Sequence, residues 1–508
     1  MWLDQVNEIS EFFRFSLPCY LAVLLPILII LSPTDAATEF PVYRLQHFDL
    51  QGVKYGSRSS TLNFEARTIE SRLPSRKCII LMINEFSPTR FRELVNDGIG
   101  ALLIIIPSNF DNLSAEIREN ILDAEKFLLS QEISIPVYFA EQTPQVEEIY
   151  NSIKESTNKD SATSAFQALL GAVSANGYQL AVYGNQAKLM TDVQLTNIQG
   201  KLLGYGVDDQ LPTVAVVAHY DSFGAAPDLS FGGDSNASGV AALLELVRLF
   251  SRLGSQSQNG LPKFNIAFIL TGGGKLNYIG SKKLLEDQLD GIDNGLFQDT
   301  IFVMCLDSLG QGEELNVHVS KPPKDGSNSA TFIKNLKDNA ESSSSNIGVN
   351  MVHKKINLAD DFLAWEHERY SIRRLTAMTV SHYKAAKSDF QRGTILDTRA
   401  TVDVSVLARN VRLLAESLAS QLYNTTGPIF VGDMAVSEEM LSVWISQLTS
   451  QPRSAALLSQ KGGNPVIQML QQTLQRYLSD VKLSHVTLDK RDPEYGFYDQ
   501  SKAVMTAY

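Results

Sequence analysis

Apolar positions in this chain fall into three patterns, and each predicts a different kind of element. The first is an unbroken apolar run, Phe15 to Leu31 (FSLPCYLAVLLPILIIL), without a charge. Its length lies between that of a signal-peptide core and that of a membrane-spanning helix. Small residues follow at Thr34, Ala36 and Ala37, as at a signal-peptidase site, whereas Asp4, Glu8 and Glu11 outnumber Arg14 ahead of the run. Pro18 and Pro26 disfavour one continuous helix there. Residues 1–37 therefore read as a signal peptide or a signal anchor, and either reading places the rest of the chain in the secretory lumen.

The second pattern is short apolar blocks alternating with amphipathic stretches. Over residues 38–172 the blocks are CIILMI (Cys78 to Ile83), IGALLIIIP (Ile99 to Pro107) and IPVYFA (Ile135 to Ala140). Between them lie SPTRFRELVNDG, which opens on a capping serine and closes on a glycine, and a helical stretch from about Ser114 to Ser130. This predicts a small α/β lobe, followed by a polar linker, KESTNKDSATSA, at 154–165. A second unit is expected over 173–428, with strands PTVAVVAHY, FNIAFIL and IFVMCLD and helices such as SGVAALLELVRLFSRL. Strands that alternate with helices predict a mostly parallel sheet, hence a three-layer α/β/α domain. The third pattern is helical periodicity in MLSVWISQLTS and VIQMLQQTLQRYLSDVKL, which predicts a helical C-terminal segment over 429–508.

Composition narrows the function. A hydrophobic content of 44% supports a packed core. A net charge of −12 argues against nucleic acid as the main partner, because phosphate binding needs a basic footprint. The basic pairs Lys354–Lys355 and Arg373–Arg374 read as solvated surface. Three cysteines, Cys19, Cys78 and Cys305, do not make a disulfide framework, and Cys78 and Cys305 have apolar flanks like those of buried thiols. Of the sequons, Asn424 (in YNTTGP) and Asn112 are the expected glycan acceptors, and Asn236 sits in a Gly-rich motif that would enclose it.

The chemistry-bearing segments come in a fixed order. A buried strand ends in AHYD (Ala218 to Asp221). The turn FGGDSNASG (Phe231 to Gly239) opens a helix. LTGGGKLNYIGS, FVMCLDSLG and AWEHERYSIRRLTA follow. A two-zinc aminopeptidase needs an H-x-D after a strand, a bridging aspartate, a glutamate pair, a later aspartate and a final histidine. Two Zn²⁺ ions about 3.5–4 Å apart require carboxylates to offset their charge and histidines to complete each shell. A glutamate then takes the proton of the bridging water. A serine triad from HYDS or SHYK is a weak alternative, since no G-x-S-x-G elbow occurs.

This order of segments resembles the M28 zinc aminopeptidase family, whose fold nicastrin also uses. The stretches EFPVYRLQHFDLQGVKYGSRSSTLNFEAR, MVHKKINLADDFLAWEHER and DKRDPEYGFYDQ are similar to the nicalin family in particular. Carried over by position, the metal set is incomplete. His219 matches the first histidine, Asp221 its orienting carboxylate, Asp307 the later aspartate and His367 the final histidine. Ser235 stands at the bridging-aspartate position, and Gly274 and Lys275 stand at the glutamate pair. An ammonium in place of a carboxylate turns attraction into repulsion on the order of several kcal/mol at ~4 Å. Without a general base the rate falls a further ~10²–10⁴-fold. The site reads as vestigial, with no catalytic residue, no metal and no cofactor, and His219, Asp307, His367 and Lys275 are expected to form a buried polar network.

The nicalin resemblance implies a lumenal scaffold in the endoplasmic reticulum membrane. It implies assembly with nodal modulator protein and a small multispanning membrane protein, association with the translocon, and assistance to multipass membrane-protein biogenesis. It also implies a membrane helix directly after Tyr508, so the sequence reads as cut before that helix or as a soluble form. Two rival readings remain: a remodelled zinc-dependent peptidase, and a peptide-binding module using the old substrate cleft.

Overall fold

Residues 37–508 are described in a computed structural model, apart from 72–73, 161–177, 207–210, 257–261, 290–295, 298, 344–346, 386–392, 426, 460–462, 488–493 and 500–502. The apolar run at 15–31 lies outside the described residues.

The N-terminal strands are β1 (Thr38–Arg44), β2 (His47–Leu50), β3 (Val53–Ser57), β4 (Leu62–Thr68), β5 (Cys78–Met82), β6 (Ala101–Ile106), β7 (Glu132–Ile133), β8 (Val137–Glu141) and β9 (Gln179–Val182). The apolar blocks at 78–83, 99–107 and 135–140 become the parallel strands β5, β6 and β8. Because side chains alternate along a strand, these blocks feed two cores. Ile80, Leu103 and Ile105 point into a barrel, while Ile79, Leu102 and Ile104 face the helices Pro88–Asn96 and Ala115–Leu129.

The second unit holds β10 (Gln194–Leu202), β11 (Thr213–His219), β12 (Asn265–Thr271), β13 (Thr300–Leu306), β14 (Glu314–Val319), β15 (Gly348–His353), β16 (Ala377–Ser381) and β17 (Ser479–Thr487), in the order β15-β14-β16-β13-β11-β12-β10-β17. Val214, Val216 and Ala218 pack on the helices Gly239–Gln256, Asn328–Ser342 and Val404–Tyr423. Ala215 and Val217 pack on the helix Ile279–Leu289 and on Tyr370. The result is a three-layer α/β/α domain. Cys78 and Cys305 are buried and free.

Two expectations need correction. The linker expected at 154–165 is helix as far as Asp160, within Pro144–Asp160. Val146, Ile149, Tyr150 and Ile153 form one stripe on the barrel core, and the polar residues after them ride the same helix. The C-terminal segment is helical only through Pro465–Tyr477. After that come β17, then β18 (Tyr495–Phe497) on β2, and β19 (Ala503–Ala507), which closes the barrel β1-β19-β9-β4-β5-β6-β8. The lobe expected over 38–172 therefore also takes β9 and β19. Local periodicity does not report strands whose partners lie at the far end of the chain.

The lobes share one core. Phe223, Ala225, Leu229, Ile395 and Leu396 of the larger domain pack with Ile121, Leu128 and Ile104 of the smaller. This fixes the helix Ala115–Leu129 over the carboxyl end of the large sheet.

Candidate functional site

The parallel strands β11, β12, β13 and β16 all end at one edge of the domain, where ligand sites of open α/β sheets form. His219 is the last residue of β11, Thr271 the last of β12 and Ser381 the last of β16, and Asp307 directly follows β13.

The turn 231–239 is held by groups distant in sequence. Gly232 adopts a left-handed backbone (φ 63°), and a Cβ there would meet Ser222 Cβ at 2.5 Å and Ser235 O at 2.8 Å. Asp397 accepts the N–H groups of Asp234 and Ser235, each at 2.8 Å. Burial, with Asp234 second, pushes the Asp397 carboxyl above its ordinary range. Asp234 accepts from Gly310 N at 2.7 Å and pairs with His382 Nε2 at 2.8 Å. Arg453, fully buried, donates to Gly232 O at 2.7 Å, to Phe231 O at 3.0 Å and to Tyr220 O. Burial lowers its guanidinium to about 10. Asn236 is wholly buried and donates to His219 O at 2.6 Å, so its sequon is enclosed, whereas Asn112 and Asn424 are exposed.

Facing this turn is Gly272–Tyr278. Asp221 accepts the N–H groups of Gly274 (2.7 Å) and Lys275 (3.0 Å). It thus orients this turn and not the His219 ring. The carboxylate beside His219 Nδ1 is Glu366, at 3.2 Å, which also accepts from Thr271 (2.8 Å) and Ser281 (2.6 Å). Lys275 is buried, and its Nζ lies 2.5 Å from Ser235 Oγ. Gly274 lies against the imidazole: a Cβ there would stand 2.3 Å from His219 Cβ and Cγ. A side chain at 274 and the ring of His219 claim the same space.

Asp307 is buried and accepts from Ser308 Oγ at 2.8 Å. His367 is held by Thr379 Oγ1 at 2.9 Å, within β16. The histidine that reaches the Gly-rich turn is His382, the residue after β16. Ser222 Oγ donates to Ser230 O, and Ser381 Oγ accepts from Tyr383 N, so neither serine is paired with His382 in a triad.

The sequence reading missed Glu366, Asp397 and Arg453, and it weighed His382 only in a serine triad, not against Asp234. Glu366 is masked by its neighbour His367, which drew the metal assignment. The others lie outside the Gly-rich motif, and only long-range contact brings them to it.

The side chains present fit a metal pair poorly on charge. Positions 235, 274 and 275 present a hydroxyl, a hydrogen and an ammonium. Among the described residues no group of three His, Cys, Asp or Glu is placed to hold an ion. A divalent ion ~4 Å from the Lys275 ammonium would be opposed by roughly 8 kcal/mol at an effective dielectric of 20. Beside the turn lies a cavity of about 220 Å³, walled by Leu122, Leu129 and Leu396 and floored by Ser235 and Asp397. Glu125 lines it, accepting from Ala225 N (2.7 Å), Ile395 N (3.1 Å) and the Thr394 hydroxyl, with its carboxyl pushed up to about 7 by burial.

The Peptidase family M28 profile matches residues 197–417. The dog (Canis lupus familiaris) BOS complex subunit NCLN is 43% identical over 521 residues, covering 100% of this chain and 92% of its own. Nicalin of Caenorhabditis elegans is 30% identical over 477 residues, covering 88% and 83%. The crystal structure of nicastrin, the gamma-secretase component, superposes with a TM-score of 0.66 at 12% identity over 93% of this chain and all of that one, which shows a shared fold. With an M28-type domain and relatives this similar along nearly their whole length, the chain belongs to the nicalin family of BOS complex subunits.

Proposed function

We propose that the chain is a non-catalytic scaffold subunit on the lumenal side of the endoplasmic reticulum membrane, in a complex that assists multipass membrane-protein biogenesis at the translocon. Nodal modulator protein and a small multispanning membrane protein are its partners on this reading. The observation that carries it is the Lys275–Ser235 contact, at the positions where a bridging carboxylate and a metal-binding carboxylate would be needed. His219 fills the space that a side chain at Gly274 would need, which agrees with this reading. The relatives' names, which describe subunits of a complex, support the same reading. The apolar run at 15–31 and the exposed sequons at Asn112 and Asn424 support residence in the secretory pathway.

Two measurements test it. Zinc analysis and aminoacyl-substrate hydrolysis on the purified chain are expected to give far less than one zinc per chain and no turnover. Stoichiometric zinc, with hydrolysis lost in His219→Ala, would restore the peptidase reading. Purification from membranes in mild detergent is expected to bring down translocon-linked partners, and a chain that comes down alone would count against the scaffold.

The cavity beside Ser235 favours one second reading, a peptide-binding cleft without chemistry. Peptide binding that survives chelators and is lost in Leu122→Trp would establish it.

A further inference from the structure

The eight-stranded sheet ends in two edges of opposite character. At β17 the edge carries Asp480 and Lys482, and its register with β10 shifts between Gln199 and Lys201. Charges and irregularities of this kind keep an edge from recruiting another strand. At β15 the edge is regular. Its sequence, GVNMVH, holds no proline, lysine or acid, and it runs parallel to β14 without a shift from Glu314↔Gly348 to Val319↔His353.

The direction of its backbone groups follows from two hydrogen bonds. Gly348 N donates to Glu313 O (3.4 Å) and Lys354 N to Val319 O (3.1 Å), so the even-numbered residues turn toward β14. Alternation then points the N–H and C=O groups of Val349, Met351 and His353 outward. Among the described residues no strand pairs with that side. Met351 and His353 are exposed, as are Lys354 and Lys355 directly beyond the strand.

We propose that the outer edge of β15 takes an extended segment of a partner subunit as a further strand, with acidic residues where that segment passes Lys354 and Lys355. The backbone row fixes the conformation of the occupant, because only an extended chain satisfies donors and acceptors at every second residue. The lysine pair fixes its charge, since unlike charges across an interface favour that partner and that register. A second copy of this chain fits less well, because its net charge of −12 opposes self-association. The proposal rests on the scaffold reading and gives it a physical means of holding a partner.

Hydrogen exchange tests it, on the full chain purified alone and on the complex isolated from membranes in mild detergent. The segment 347–354 is expected to exchange at least tenfold more slowly in the complex. Met351→Pro removes an outward N–H and leaves the bonds to β14 in place. It is expected to reduce co-purified partner at least tenfold without moving the thermal midpoint, and Lys354→Glu with Lys355→Glu to reduce it less. Partners that co-purify while 347–354 exchanges equally in both samples would overturn the edge proposal and leave the scaffold standing. Should no partner co-purify with the unaltered chain, both readings fall. A dimer of the isolated chain that Met351→Pro abolishes would identify a second copy as the occupant and overturn the partner assignment.

Discussion

The turns 231–239 and 272–278 face each other across the end of the large sheet, but they are secured in opposite ways. The first is held from outside by Asp397, Arg453, His382 and the Gly310 amide, four groups spread over the C-terminal half of the chain. The second is held from within, by the Asp221 carboxylate under its amides and by the missing side chain at Gly274. Ser235 and Lys275 meet at the tips, while the framework behind each tip is rich in hydrogen bonds. The residues at the tips and the residues that fix the backbone are thus different, so one set can change without the other. Preserved loops would leave a rigid rim for partners.

Arg453 provides the hardest test of the first turn. Replacing it by Met removes the donors to the carbonyls of Tyr220, Phe231 and Gly232 and strands them in a dry interior. The expected loss is about 3–5 kcal/mol, read as a fall in thermal midpoint with early proteolysis near the turn. A midpoint unchanged within error would mean that the turn holds itself.

Glu125 tests the joint that carries the lobes. Its folded carboxyl stands at about 7, above the ordinary carboxylate value. A raised value means that the protonated form is favoured by folding. This contribution is full below about pH 4.5 and disappears as pH rises through 7. It amounts to about 3 kcal/mol across that window. Glu125→Gln is therefore expected to cost more at pH 5 than at pH 8. An equal cost at both would show that the three donors around the carboxylate outweigh burial.

Much of this architecture was legible in the sequence, and what was not has a physical cause. The blocks CIILMI and ALLIII were readable as strands because both faces are buried, so no alternation dilutes the signal. Ser87 was readable as a cap and does stand at the N-cap of Pro88–Asn96, but its side chain makes no capping hydrogen bond. Strand β19 was not readable, since half of its pattern is set by β1 and β9, neither close to it in sequence. In the site, Ser235, Gly274 and Lys275 could be placed by motif position. The partners of His219 and Asp221 could not: motif order ranks residues along the chain, whereas Glu366 reaches His219 from beyond β14 and β15.

Gly274 and His219 give the finest test of the second turn. Gly274→Ala places a methyl group 2.3 Å from His219 Cβ, so either the ring or the turn must shift, at a cost of roughly 1–3 kcal/mol. His219→Gly removes all three clashing atoms at its own cost in strand stability and in the lost Glu366 contact. If the two positions compete for one volume, the double variant will be more stable than the sum of the singles by about 1 kcal/mol or more. Additive costs would mean that the turn absorbs the methyl group elsewhere.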